Sequence, residues 1–209
     1  MAVATGGGAG RAVGDSTRAG DHALSGIGAH LANILTVARL CSAVPIVLLI
    51  RAGAFPEAAG LFLVAALSDG LDGFVAKRFG GITQFGTVLD PVADKVLMAS
   101  LFVTLALTGH LPVWIVALIL ARDVLIVVGT LVLRYVHGRF RVEPLLVGKA
   151  STLMQILLGG AVLAQLSVLP QLAAWLTPLL LLTAVTVLAS AVAYLRAASR
   201  IWVSTRAPQ

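Results

Sequence analysis

Four aspartates, Asp69, Asp72, Asp90 and Asp94, crowd into residues 68–95, SDGLDGFVAKRFGGITQFGTVLDPVADK, between strongly apolar runs. The whole chain has only nine acidic residues, so the clustering needs a cause. On a helix, Asp69, Asp72, Gly73 and Ala76 fall at i, i+3, i+4 and i+7, which is one face. Gly86, Asp90 and Asp94 fall at i, i+4 and i+8, again one face. Gly80 and Gly81 between them permit a reversal. Two antiparallel helices would then turn four like charges toward one another, where they repel and, in a membrane, are poorly solvated. Divalent cations among them relieve both problems. Mg²⁺ takes one or two protein carboxylates per ion plus substrate phosphates, so four acids suit two ions. Two such ions stabilise both sides of an in-line displacement at phosphorus. Gly73 and Gly86 leave room for a sugar or base near the backbone. Lys77 and Arg78 can meet phosphate. The residue chemistry therefore points to phosphoryl transfer on a lipid-borne phosphate.

The elements that must position these residues are apolar helices. The chain has 209 residues, 59% hydrophobic and 11% charged, with mean hydropathy +1.00. A soluble domain of this length cannot hide so much apolar surface, so an all-α polytopic membrane protein is expected. Six helices are expected at about 34–50, 57–78, 84–107, 112–135, 146–166 and 173–196. Residues 1–30, rich in Gly and Ala, read as a disordered or surface tail without a signal-peptide core. Residues 31–199 form one six-helix domain, and 200–209 a basic tail. The net charge of +6 does not suggest nucleic acid, because the basic residues flank apolar runs and form no stripe with aromatics. The one cysteine, Cys41, excludes an internal disulfide and reads as packing in the first helix.

Short-loop charge sets the expected orientation. Lys77 and Arg78, then Arg134, Arg139, Arg141 and Lys149, then Arg196, Arg200 and Arg206 share one side, whereas the other has Arg51 and His110. Both termini and the acidic turn should therefore face the cytoplasm. A bacterial inner membrane follows as the expected location. Trp114, Trp175 and Trp202 read as interface anchors. Gly159-Gly160 and the Ala-rich stretches favour close helix packing, within the chain or in a homodimer.

Two other readings compete. In one, the acids serve only as partners for Lys77, Arg78, Lys95 and Arg122 in a bundle, which suits one or two of them but not all four. A cation-coupled transporter also uses membrane carboxylates, but it does not require Gly73 and Gly86 at these offsets or a basic turn beside the acids. Arg39 reads equally as a snorkelling residue or an acceptor-phosphate ligand. Asp123 reads as the partner of a bundle Arg or Lys, Lys149 as orientation signal or ligand, and Glu143 as a loop residue. His22, His30, His110 and His137 lack ligand spacing.

The motif resembles that of the CDP-alcohol phosphatidyltransferase family, Asp-x2-Asp-Gly-x2-Ala-Arg followed by Gly-x3-Asp-x3-Asp. Here it is carried by Asp69, Asp72, Gly73 and Ala76, then Gly86, Asp90 and Asp94. One position departs: Lys77 stands where the family has Arg, with Arg78 next, which leaves open which of the two holds the diphosphate. The resemblance implies a six-helix fold and attack of an acceptor hydroxyl on a CDP-linked lipid, usually CDP-diacylglycerol, with CMP leaving. It implies Mg²⁺ or Mn²⁺ on Asp69, Asp72 and Asp90, with Asp94 as the general base that also touches a metal. Gly73, Ala76, Lys77, Arg78 and Gly86 become the nucleotide and diphosphate contacts. The residue chemistry alone does not say which acid is the base, because coupled carboxylates titrate as a set.

Within the family, LDPVADK at residues 89–95 and NILTVARL at 33–40, with Pro45 beyond, resemble the branch whose acceptors are phosphatidylglycerol or glycerol 3-phosphate. Arg122-Asp123 and the run Val142-Glu143-Pro144-Leu145, Gly148-Lys149, Thr152 and Gln155 favour phosphatidylglycerol, giving cardiolipin. Either acceptor carries a phosphate for Arg39, Arg122, Lys149 and Arg141 to hold. A lipid acceptor also needs room for two diacyl substrates opening sideways to the bilayer, which the sequence does not show.

Overall fold

A computed structural model describes residues 37–79, 84–137 and 146–204; the side chains of 69–92, 133–134, 136–137 and 200–204 are outside the description. The N-terminal tail, the Gly80–Gly81 reversal, the segment with Arg139, Arg141 and Glu143, and the chain from 205 onward therefore lie outside the described residues.

Among the described residues the chain is helical throughout. It consists of α1 (residues 37–51), α2 (Phe55–Phe79), α3 (Gln84–Leu107), α4 (Val113–His137), α5 (Leu146–Ser167) and α6 (Ala173–Ser204), with a 3-10 turn at Pro170–Leu172. The fold agrees with the expected all-helical class. The expected boundaries hold within a few residues except at the end of α6. That helix runs to Ser204 rather than 196, because no Gly or Pro follows until Pro208.

Two helix ends show why the bundle turns where it does. Gly53 and Gly109 have φ of 76° and 78°, a left-handed conformation that costs glycine nothing. At each, the next N–H reaches back to close the last turn: Ala54 N to Leu49 O at 2.9 Å, and His110 N to Leu105 O at 2.8 Å. The glycine N–H groups bond Ile50 O and Ala106 O, each at 3.1 Å. Orphan carbonyls at the ends of α1 and α3 are satisfied in this way. The Phe55 and His110 rings then meet edge to face at 5.1 Å, joining the α1–α2 and α3–α4 connections on one side of the bundle. The acidic ends of α2 and α3 lie at the opposite side, a helix length away.

At the centre, α5 packs against α2, α3 and α6, while α4 packs against α3 and α6. Phe62 of α2 and Leu101 and Phe102 of α3 converge on Gly159 of α5, and α1 adds Ala43, Ile46 and Ile50 to the same core. A Cβ at Gly159 would lie 2.8 Å from Leu101 Cδ2, so the close approach needs a residue without a side chain. The outward faces stay apolar: Val124, Leu131 and Val185 are about 60% exposed. An apolar exterior of this kind suits lipid. Val113–Val132, Leu146–Ser167 and Pro170–Ser199 are each long and apolar enough to cross a bilayer, while the apolar part of α2, Phe55–Ser68, is shorter. These helices make the chain an integral membrane protein.

Gly159→Val is expected to overpack this junction by about 1–3 kcal/mol and to lower the melting temperature in detergent. Gly60→Ala should not lower it, since a Cβ at Gly60 meets nothing within 4 Å. Thermal unfolding of the two purified variants beside wild type checks both.

Candidate active site

The candidate site is assembled from one layer of the bundle. The backbone places Asp69 and Asp72 one turn apart on α2, and Asp90 and Asp94 one turn apart on α3. Gly73, Ala76, Lys77 and Arg78 follow on α2, and Gly86 precedes Asp90 on α3. The side chains of these residues, Asp94 excepted, are outside the description. Pro91 between the two α3 aspartates has no N–H, so the helix loses its bond to the Thr87 carbonyl inside the motif.

Asp94 pairs with Arg39 of α1, Nη1 to Oδ1 at 3.1 Å. The Arg39 side chain is 2% exposed and that of Asp94 is 41% exposed. Arg39 therefore does not reach out to an interface as a snorkelling residue would; it points inward, onto the last carboxylate of the motif. Its backbone carbonyl also accepts a 2.7 Å bond from Ser42 Oγ.

A second cluster joins α3, α4 and α6. Buried Arg122 donates through Nε (3.1 Å) and Nη2 (2.7 Å) to Ser190 Oγ, and through Nη1 to Asp123 Oδ1 at 2.8 Å. The same Asp123 oxygen meets Lys95 Nζ at 2.6 Å. Asp123 is thus the partner of bundle cations that its sequence position suggests. The arrangement also bears on the four motif acids. Lys95 and Arg122, two of the cations available to neutralise them, are engaged by Asp123 instead.

Around this cluster the layer stays polar. Tyr194 and Thr130 hydroxyls lie 2.8 Å apart between α6 and α4. Ser151 and Gln155 are fully buried on α5, with Gln155 Nε2 donating to Ser151 Oγ at 3.3 Å. Gly148 of α5 lies beside Arg122: a Cβ there would be 3.4 Å from Nη2, in van der Waals contact. Lys149, the next residue, is exposed at the start of α5 and is not part of the buried cluster. Ser190 was not evident from sequence. Its signal is the stripe Thr183, Val187, Ser190 and Tyr194 along one face of α6, all buried.

The donors suit a hard cation. All four motif acids offer carboxylate oxygen, the ligand type of Mg²⁺ and Mn²⁺, and no His or Cys stands among them. Among the described side chains no three His, Cys, Asp or Glu gather at one place. Asp94 is the only motif acid in that set.

A family model described as CDP-alcohol phosphatidyltransferase matches residues 29–203. A fission yeast (Schizosaccharomyces pombe) cardiolipin synthase (CMP-forming) and mitochondrial hydrolase fusion protein is 35% identical over 78% of this chain and 30% of its own length. A probable phosphatidylglycerophosphate synthase of Mycobacterium tuberculosis is 38% identical over 66% of this chain and 68% of its own. The cardiolipin synthase (CMP-forming) of Rattus norvegicus is 31% identical over 63% of this chain and 49% of its own. The chain thus spans less than half the length of these two cardiolipin synthases, and about two thirds of the mycobacterial protein.

The geometry separates the two bonds of Asp123. Its pair with buried Arg122 is shielded, whereas Lys95 is 39% exposed. Asp123→Ala is expected to destabilise by about 3 kcal/mol, since it strands a buried guanidinium. Lys95→Met should cost under about 1 kcal/mol. Denaturant unfolding in mixed micelles measures both.

Proposed function

The chain belongs to the CDP-alcohol phosphatidyltransferase family, and from that premise we propose that it transfers a phosphatidyl group from CDP-diacylglycerol to phosphatidylglycerol, releasing cardiolipin and CMP. Family membership makes it a transferase of phospholipid synthesis, and the transporter reading is set aside. The observation that carries the reading is the placement of two aspartate pairs, each one turn apart, on consecutive helices α2 and α3.

The family generally works with divalent metal ions. In this chain Asp69, Asp72 and Asp90, with Asp94 at the edge, are the residues that would hold two of them, Mg²⁺ or Mn²⁺. Bound there, the ions supply neutralising charge to the diphosphate. Gly73, Ala76 and Gly86 give the nucleotide room against the backbone, and Lys77 and Arg78 hold its phosphates. The acceptor hydroxyl attacks the phosphorus bearing diacylglycerol, the bond from that phosphorus to the CMP oxygen breaks, and Asp94 takes the hydroxyl proton. Arg39 orients the Asp94 carboxylate. With Arg122 it also offers the guanidinium groups for an acceptor phosphate. Arg122 uses three of its five N–H donors on Ser190 and Asp123, leaving two to face a ligand. Exposed Lys149 meets the same phosphate from the rim.

All six helices cross the membrane in this reading, with the acids just inside the cytoplasmic face and both termini on that side, in a bacterial inner membrane. α2 and α3, at 25 and 24 residues, rise about 36–38 Å, enough for a hydrocarbon core of ~30 Å. Close packing at small residues is also compatible with a homodimer.

A second reading keeps the fold, metals and base but takes glycerol 3-phosphate and makes phosphatidylglycerophosphate. It has equal support, because relatives carrying both names match at similar identity. The short runs at 122–123 and 142–155 lean toward phosphatidylglycerol.

Purified protein with Mg²⁺ and labelled CDP-diacylglycerol should release CMP with phosphatidylglycerol and yield cardiolipin. Product from glycerol 3-phosphate alone would establish the second reading. Asp94→Asn should lower kcat about 10²–10⁴-fold; full activity in that variant would remove Asp94 as the base.

A further inference from the structure

We infer that Ser190 is a positioning residue of the transfer reaction, setting the Arg122 guanidinium for the phosphate of the acceptor; this rests on the reading of Arg122 as a ligand of that phosphate. Ser190 Oγ accepts from Nε at 3.1 Å and from Nη2 at 2.7 Å, so one edge of the guanidinium converges on one oxygen. Two bonds along an edge fix the direction of a planar fork, which the single bond to Asp123 does not. Both side chains are buried, so these partners rather than water hold the group. The Asp123 oxygen that meets Nη1 also meets Lys95 Nζ, and Lys95 follows the candidate base Asp94. Arg122 is thereby linked to the neighbour of the residue at which the acceptor's hydroxyl must lie. In either acceptor one glycerol unit separates that hydroxyl from the phosphate, so the direction of the guanidinium bears on acceptor binding.

Three features set Ser190 apart from an ordinary helix hydroxyl. Its direction is one. Thr130, Ser167 and Thr183 turn their hydroxyls back onto a carbonyl one turn earlier in their own helix. Among the described residues, Ser190 bonds the Arg122 guanidinium alone, across to α4. Its neutrality is the second. A carboxylate at this place would hold Arg122 at least as firmly, but it would also cancel the charge that a phosphate needs. A hydroxyl holds the fork and leaves the charge. Its register is the third. One turn beyond Ser190, the Tyr194 ring lies over Gly129 of α4, where a Cβ would come within 2.8 Å of the ring. The Tyr194 hydroxyl also lies 2.8 Å from that of Thr130. α6 is seated on α4 at these two residues, about two turns beyond Arg122. That seat brings Ser190 opposite the guanidinium.

The test measures KM separately for CDP-diacylglycerol and for whichever acceptor the wild-type enzyme uses, phosphatidylglycerol or glycerol 3-phosphate. Ser190→Ala should raise the acceptor KM about tenfold, as expected for lost hydrogen bonds to a charged group. The KM for CDP-diacylglycerol and kcat should stay within about twofold of wild type, the pattern of lost uniform binding. Ser190→Cys, close in shape but a weak acceptor, should show the same split. It carries the test if Ser190→Ala does not fold. Ser190→Thr restores the oxygen and should return the acceptor KM to within about twofold of wild type. In an Arg122→Met background, Ser190→Ala should change the acceptor KM by less than about twofold, because no guanidinium is left to hold. Equal rises in both KM values, or an undiminished effect of Ser190→Ala in that background, would reduce Ser190 to a structural residue and overturn the inference. So would an unchanged acceptor KM in the Ala and Cys variants when Arg122→Met raises it, a result that leaves Arg122 as a ligand. A wild-type acceptor KM in Arg122→Met itself would overturn the reading of Arg122 and the inference together.

Discussion

An ionised side chain among apolar helices is stable only where a counter-charge, a hydrogen-bond partner or a metal ion meets it. That constraint organises this bundle. Arg39 meets Asp94, Arg122 meets both Ser190 and Asp123, and Lys95 turns to the same Asp123. The apolar core below the layer, built around the contact of Phe62, Leu101 and Phe102 with Gly159, fixes the helix spacing that lets these pairs form. The polar layer and the tight core are therefore one design: glycine where α5 must come close, and buried arginines that partner groups on neighbouring helices.

In the proposed reading, the layer also reconciles phosphate binding with a stable fold. Arg122 is anchored by a neutral serine and one shared carboxylate, so the cluster of Arg122, Lys95 and Asp123 retains a net positive charge. Arg39 sits across α3 against the last acid of the motif. Cations held in place by weakly competing partners suit an anionic ligand, because the ordering of the long side chains precedes binding.

Much of this was legible in the chain. α3 was bounded correctly because paired glycines precede it and Thr108-Gly109 follows it. The acidic motif could be read because helical spacing is a local property. Asp123 as a cation's partner followed from the cost of burying an acid alone. The remainder depends on which helices meet. The helical stripe of Thr183, Val187, Ser190 and Tyr194 marks one face of α6, but only the position of α4 sets Arg122 opposite Ser190. The pairing of Arg39 with Asp94 depends in the same way on how α1 lies against α3. α6 extends past the expected end at 196 because the basic residues that follow, which read as a tail by charge alone, are compatible with helix.

The central claim is that the aspartates of α2 and α3 together hold divalent cations rather than serving only as partners for the bundle's Lys and Arg. Titrating the purified protein with Mn²⁺ in the presence of a CDP-linked ligand, with free ion followed by electron paramagnetic resonance, tests it most directly. The account expects about two ions bound per chain, and loss of that binding in the Asp69→Asn, Asp90→Asn double variant while the protein remains folded. Unchanged Mn²⁺ binding in that variant, or no saturable binding in the wild-type chain, would contradict it.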